Sequence, residues 1–203
     1  MSPELPTERL LLRPLQSCDA PALLAIFSDP ETVAYTEWDP FETIEDAHWL
    51  IRWANTAAEQ EPRTVFAWAI QWRDSNDDEL LGIVTLTIRN PSGREADIGY
   101  MVNRTQWGRG IASEAVQAII LSGFHDLALH RIVGRCSPEN TASGRVLEKV
   151  GMLREGCLRR NTWEKGRWRD TLIYALLEDE VPGAYPSLSG VSNPPSRPDR
   201  VCG

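Results

Sequence analysis

The chain reads as an α/β protein built on a mixed, mostly antiparallel sheet of six to seven strands flanked by about four helices. Three observations predict this. Apolar runs of strand length at Val65–Trp72, 80–89 and 96–102 follow one another with only turn residues between them, which is an antiparallel meander. After Val102 the period changes, and helical patterns at about 111–127 and 140–150 alternate with strand patterns. The chain has 203 residues, 42% of them hydrophobic, enough for one substantial core.

Taken in order, residues 9–13 form a short apolar strand ended by Pro14. Asp19 is placed to cap a helix through Phe27, with Pro21 in a first turn where a missing N–H does no harm, and Asp29-Pro30 stops it. Thr43 precedes Ile44-Glu45-Asp46, an N-cap with acidic residues in the first turn. Helical spacing continues through Trp49, Trp53 and Ala57, and the two tryptophans read as packing residues. In the meander, Asp74-Ser-Asn-Asp-Asp78 and Asn90-Pro-Ser-Gly93 supply the turns. Strand 131–136 then leads through Pro138-Glu139 to a helix ended by Gly151. Strands 153–161 and 168–177 close the pattern around Glu164-Lys-Gly166. Residues 1–181 are expected to form one domain, and 182–203, rich in Pro, Ser and Gly, a disordered tail.

The formal net charge of −8 and the pI of about 5.0 argue against nucleic acid and against an anionic membrane surface as partners. Cys18, Cys136, Cys157 and Cys202 are scattered without a CxxC pair, and His48, His125 and His130 give no metal-ligand spacing, so reduced structural thiols and no metal are expected. No signal peptide and no apolar run of membrane-spanning length is visible. A cytoplasmic protein is the expectation.

The feature with chemical content is Trp107-Gly-Arg-Gly-Ile-Ala112, glycines just after a strand and at the start of a helix. The first turn of a helix has unpaired N–H groups and a partial positive charge, which favour phosphate. Glycine lets a diphosphate approach the backbone, and Arg109 adds a charge. A Walker loop would end in Gly-Lys-Ser/Thr, whereas Gly-Ile-Ala-Ser stands here. A Rossmann fingerprint would have a third glycine at Ser113 and helices between the preceding strands.

Four segments in fixed order carry a resemblance: Thr7-Glu-Arg-Leu-Leu-Leu-Arg13, Ala96-Asp-Ile-Gly-Tyr100, Trp107-Gly-Arg-Gly-Ile-Ala-Ser-Glu-Ala115, and Asn140-Thr-Ala-Ser-Gly-Arg-Val-Leu-Glu-Lys-Val-Gly-Met152. Together they resemble the GNAT superfamily of N-acetyltransferases, and within it the Rim-type branch that acetylates alanine and serine N-termini of ribosomal proteins. Gly110 and Ala112 fit the last two defined positions of the acetyl-CoA loop, with Trp107 where Gln or Arg is usual in the superfamily and an aromatic is common in the branch. The resemblance covers residues of about 7–178 and implies a GNAT fold, acetyl-CoA as donor and an amine as acceptor.

The same resemblance implies the site. Trp107, Gly108, Arg109, Gly110, Ile111, Ala112 and Ser113 would hold the diphosphate, and N–H groups of Met101 and Val102 the acetyl carbonyl and pantetheine arm. Asn140, a natural N-cap, would also bond the pantetheine amides. Ser143, one turn on and on the same helix face, would serve the departing sulfur. Asp97 alternates onto one strand face with Glu95 and Gly99, so its carboxylate is a candidate base, though an exposed strand carboxylate would look the same. Trp38, Trp163, Trp168 and Asp170 are candidates for the acceptor side, and Glu37 and Asp39 for meeting a cationic acceptor.

The leading expectation is transfer of acetyl to a protein N-terminal amine by direct attack in a ternary complex. A small-molecule amine such as a polyamine or aminoglycoside is the alternative acceptor, and a non-catalytic CoA sensor the alternative of another class. Dimerisation is common in the branch and would be compatible with this chain.

Overall fold

The computed structural model describes residues 3–74 and 79–181. The expected tail at 182–203, Cys202, and most of the turn 74–78 lie outside the described residues. Among the described residues the strands are β1 (Leu5–Pro6), β2 (Leu10–Arg13), β3 (Val65–Trp72), β4 (Gly82–Asn90), β5 (Glu95–Val102), β6 (Arg131–Cys136), β7 (Leu153–Glu164) and β8 (Arg167–Leu177). The helices are α1 (Ala20–Phe27), α2 (Pro30–Val33), α3 (Ile44–Ala58), α4 (Ile111–His125) and α5 (Thr141–Lys149).

All eight strands form one sheet in the order β1-β2-β3-β4-β5-β6-β8-β7. The only parallel pair described is β5–β6, and α4 makes the crossover that such a pair requires. The sheet has one strand more than the expected upper number because Leu5–Pro6 pairs with Leu11–Leu12, too short a run to show a period. The extra helix has a similar origin. Pro30 ends α1 but starts α2, capped by the Asp29 side chain accepting from Glu31 N–H.

A core packs on each face. Leu10, Leu12, Trp68, Val84, Leu86 and Ile98 lie against α4 and α5 residues such as Ile111, Ile119 and Leu147. On the other face Ala69, Ile83 and Met101 meet Leu23 and Phe27 of α1 and Leu50 and Ile51 of α3. The start of α3 follows its sequence: Asp46 accepts from the N–H groups of Thr43 and Glu42 at 2.9 and 3.0 Å. Those two backbone bonds hold its carboxyl below the usual carboxylate value.

Two expectations are corrected. Asp19 does not cap α1 with its side chain. Instead its buried carboxylate takes Arg13 Nη1 and Nη2 at 2.8 and 2.7 Å, a fork-to-fork ion pair under the sheet edge. Trp49 and Trp53 are 48% and 38% exposed rather than packed in the core. Helical spacing puts them on one face, but that face is only partly covered. No helix among the described residues is long and apolar enough to cross a membrane.

Candidate active site

The parallel pairing of β5 with β6 runs from Glu95↔Arg131 only as far as Ile98↔Gly134, whereas β5 stays paired with β4 through Val102. From Gly99 onward, then, one edge of β5 is unpaired, and the sheet opens inside the strand. The register decides which groups face the opening. Asn103 N–H donates to Leu81 O at 2.8 Å in continuation of the β4–β5 ladder. Antiparallel strands bond at every second pair, so the Met101 N–H faces β4 while Tyr100 and Val102 face the opening. This corrects the expectation for Met101: its side chain packs in the α1–α3 core and its N–H belongs to the sheet. The Val102 carbonyl, on the open side, accepts from the Trp107 indole N–H at 2.8 Å.

That bond anchors the glycine loop. Gly108 and Gly110 have φ of +77° and +79°, in the left-handed region where a side chain is strained. Gly110 is the N-cap of α4 and offers no side-chain cap, so the N–H groups of Ile111, Ala112 and Ser113 lack intrahelical partners. Arg9 of the N-terminal region braces the loop: Nη1 and Nη2 each donate to the Arg109 carbonyl at 3.2 Å. Glu114 holds Arg9 in turn, accepting from its N–H at 2.9 Å and its Nε at 2.7 Å, and from Thr7 Oγ1 at 2.6 Å. Burial alone would raise the Glu114 carboxyl, but these bonds outweigh it and hold the group below its ordinary value. Arg109 bonds Gln106 Oε1 at 3.0 Å. A cavity of about 530 Å³ lies over the loop, lined by Arg9, Arg109, Gly110, Ser113 and Lys149. Lys149 has no ion-pair partner among the described residues, and its Nζ lies 4.0 Å from where a Gly110 side chain would begin.

Across the opening, Asn140 caps α5 by accepting from Ser143 N–H at 3.1 Å. The bond uses Oδ1 and leaves the amide NH2 as a donor on the cavity wall. The Tyr100 phenol oxygen lies 2.8 Å from Ser143 Oγ and 3.1 Å from the Ser143 carbonyl, two alternative acceptors for its one proton. Burial pushes the Tyr100 phenol well above its usual value, against the opposing bond from Ser143. Cys136, at the end of β6, lines the same cavity as Ser143, and burial raises its thiol as well. A tyrosine, a serine and a cysteine from three elements thus meet where the sheet opens.

These groups share one cavity of about 760 Å³ that reaches both faces of the sheet. On the α1–α3 side it is walled by Glu37, Trp38, Trp53, Asp97 and Asp170. Asp97 does face the cavity, but both of its oxygens are engaged, by Arg89 Nε at 3.0 Å and Arg135 Nη1 at 3.2 Å. Glu37 is exposed and has no partner among the described residues. The outer wall is tied shut by the β7–β8 hairpin, where Lys165 donates to Val33 O and Arg169 to Ala34 O, at 2.5 and 3.3 Å. Trp163 and Trp168 are not in this wall; they pack edge-on at 5.4 Å on the exposed end of the hairpin. Asp39 is likewise outside it. Sequence reasoning missed Tyr100 and Cys136 as neighbours of Ser143, and Arg9 and Lys149 as neighbours of the loop. Only the place of Arg9 just before the apolar run of residues 10–12 and the last-turn position of Lys149 hinted at them.

Residues 9–153 match the Acetyltransferase (GNAT) domain family. An uncharacterized N-acetyltransferase, p20, of Bacillus licheniformis is 35% identical over 177 residues, 87% of this chain and 97% of that protein. The ribosomal-protein-serine acetyltransferase of Escherichia coli is 32% identical over 103 residues, 51% of this chain and 58% of that protein. Among solved structures, Mycobacterium smegmatis RimJ in complex with CoA-disulfide is 28% identical with a TM-score of 0.76, covering 86% of this chain and 85% of that one.

Proposed function

The chain belongs to the GNAT acetyltransferase family, and from that premise we propose that it transfers the acetyl group of acetyl-CoA to a protein or peptide N-terminal amine. The observation that carries the reading is the opening between β5 and β6, with an anion-binding loop on one side and an acid-lined cavity on the other.

The residues present fit acetyl-CoA. Free first-turn N–H groups of Ile111, Ala112 and Ser113, the glycines at positive φ and Lys149 suit its phosphates. The unpaired edge of β5 suits its pantetheine arm, and the Asn140 amide its amide groups. When bound, acetyl-CoA supplies a thioester carbonyl open to attack by a neutral amine and a thiolate that leaves. Val102 N–H, freed from the sheet, donates to the carbonyl oxygen, and a donor of this kind is worth about 3–4 kcal/mol in a well-formed oxyanion hole. Ser143 donates its hydroxyl hydrogen to the departing sulfur. Asp97 takes the ammonium proton, giving up a charge-assisted bond to Arg89 or Arg135 as it does so; amine already neutral in solution needs no such step.

Support for an N-terminal amine comes from the cavity and from one relative. Glu37, Asp97, Glu164 and Asp170 on the walls outnumber Arg89 and Arg135, which favours a cationic acceptor before deprotonation. The E. coli relative is named a ribosomal-protein-serine acetyltransferase, which supports a protein acceptor. The test is release of free thiol from acetyl-CoA with a panel of peptides, each with its terminus free and blocked, alongside polyamines and aminoglycosides. Turnover of free-terminus peptides alone is the expected result. Turnover confined to the small amines would overturn the acceptor assignment, and no thiol release with any amine would overturn the activity.

A further inference from the structure

The contact between Tyr100 and Ser143 contains a choice that the proposed reaction would have to make. Tyr100 stands on β5 beside the opening, and its ring packs against the α4–α5 core. Its oxygen is within bonding distance of two acceptors on one residue, Ser143 Oγ at 2.8 Å and the Ser143 carbonyl at 3.1 Å. A phenol carries one proton. When that proton goes to the carbonyl, the serine hydroxyl is left to donate back to the phenol oxygen. When it goes to Ser143 Oγ, the serine hydrogen is free to point elsewhere. The α5 backbone is fixed meanwhile, because Ser143 N–H is held by Asn140 Oδ1.

Resting on the function proposed above, we infer that Tyr100 is a positioning residue for Ser143, its O–H donated to Ser143 Oγ so that the serine hydrogen faces the departing sulfur. The surroundings agree with this. Ser143 lines the cavity at the opening, on the wall it shares with Asn140 and Cys136, so a hydrogen turned away from the phenol points into the space the thioester would occupy. Burial holds the proton on Tyr100, which keeps the phenol a donor. No bond is made or broken at Tyr100; it sets a direction. Glu148 bonds the neighbouring Tyr174 hydroxyl at 3.2 Å and leaves Tyr100 to the serine.

Tyr100→Phe in the full chain tests this, since it removes one oxygen and keeps the ring in the core. With acetyl-CoA and a peptide that supports thiol release, kcat should fall about tenfold, the loss of one hydrogen bond of about 1.4 kcal/mol. KM for acetyl-CoA should stay within twofold. In a Ser143→Ala background the same substitution should lower kcat less than twofold, because the group it acts through is gone. A purely packing role would raise KM, lower Tm and take the same factor from both backgrounds. Wild-type kcat in Tyr100→Phe, or equal losses in the two backgrounds, would overturn the inference while leaving the acetyltransferase reading intact. An inactive wild-type chain would instead overturn that reading, and the inference with it.

Discussion

Arg9 and Glu114 are joined through backbone and side chain at once, Arg9 N–H to Oε1 at 2.9 Å and Nε to Oε2 at 2.7 Å, and through them β2 is fastened to the first turn of α4. The bonds hold Glu114 below its ordinary carboxylate value in the folded chain. A depressed folded value means stability that is fully present above the unfolded value of about 4.3 and is lost as the pH falls through the folded one. Glu114→Gln should therefore lower Tm by a constant amount from pH 7 to about 5, and the difference from wild type should close below about pH 4. Thermal unfolding across that range measures it; a difference that widens toward acid would contradict the assignment.

Lys149 lies over the glycine loop with no ion-pair partner among the described residues. Lys149→Ala should raise KM for acetyl-CoA roughly tenfold, as expected for a hydrogen bond to a charged group worth about 1.5 kcal/mol. With acetyl-pantetheine, which lacks the nucleotide phosphates, the two proteins should be indistinguishable. An equal loss on both donors would place the effect elsewhere.

Asp97 gives a prediction about pH and rate. If it receives the ammonium proton, Asp97→Asn leaves only amine that is already neutral, and the acidic limb of the kcat/KM profile moves to higher pH. A limb that stays in place would reduce Asp97 to a partner of Arg89 and Arg135.

The buried Arg13–Asp19 pair bears on the fold alone. Asp19→Ala removes the carboxylate from a guanidinium whose side chain is 6% exposed while Gln71 and the Pro14 carbonyl still bond it, and breaking a buried ion pair destabilises by about 3–5 kcal/mol. A lower urea midpoint, with KM for acetyl-CoA unchanged, is the expected result.

Local chemistry made part of this molecule legible before its structure. The strands Val65–Trp72 and Arg131–Cys136 fall where their apolar runs put them, and Thr43 and Asp46 mark the start of α3. The glycine loop announced its own backbone, and Asn140 its cap. What stayed hidden depends on register and on distance along the chain. Whether Met101 or Val102 turns its N–H to the opening follows from pairing with Leu81 and Ile83, which no periodicity encodes. Tyr100 and Ser143 are 43 residues apart, and nothing in either neighbourhood names the other. Asp19 looked like a cap because its local sequence allows one; a buried arginine six residues earlier claimed it.

The opening between β5 and β6 makes the sheet a partition with a window in it. On the function proposed above, a nucleotide-sized donor and a peptide-sized acceptor would each arrive from its own side and meet at the frame, where Val102, Tyr100 and Ser143 stand. Neither needs to pass the other to come or go. On that plan the chain has no use for parking the acyl group on itself between visits, and the traffic of the bulky acceptor is uncoupled from the exchange of spent donor for fresh.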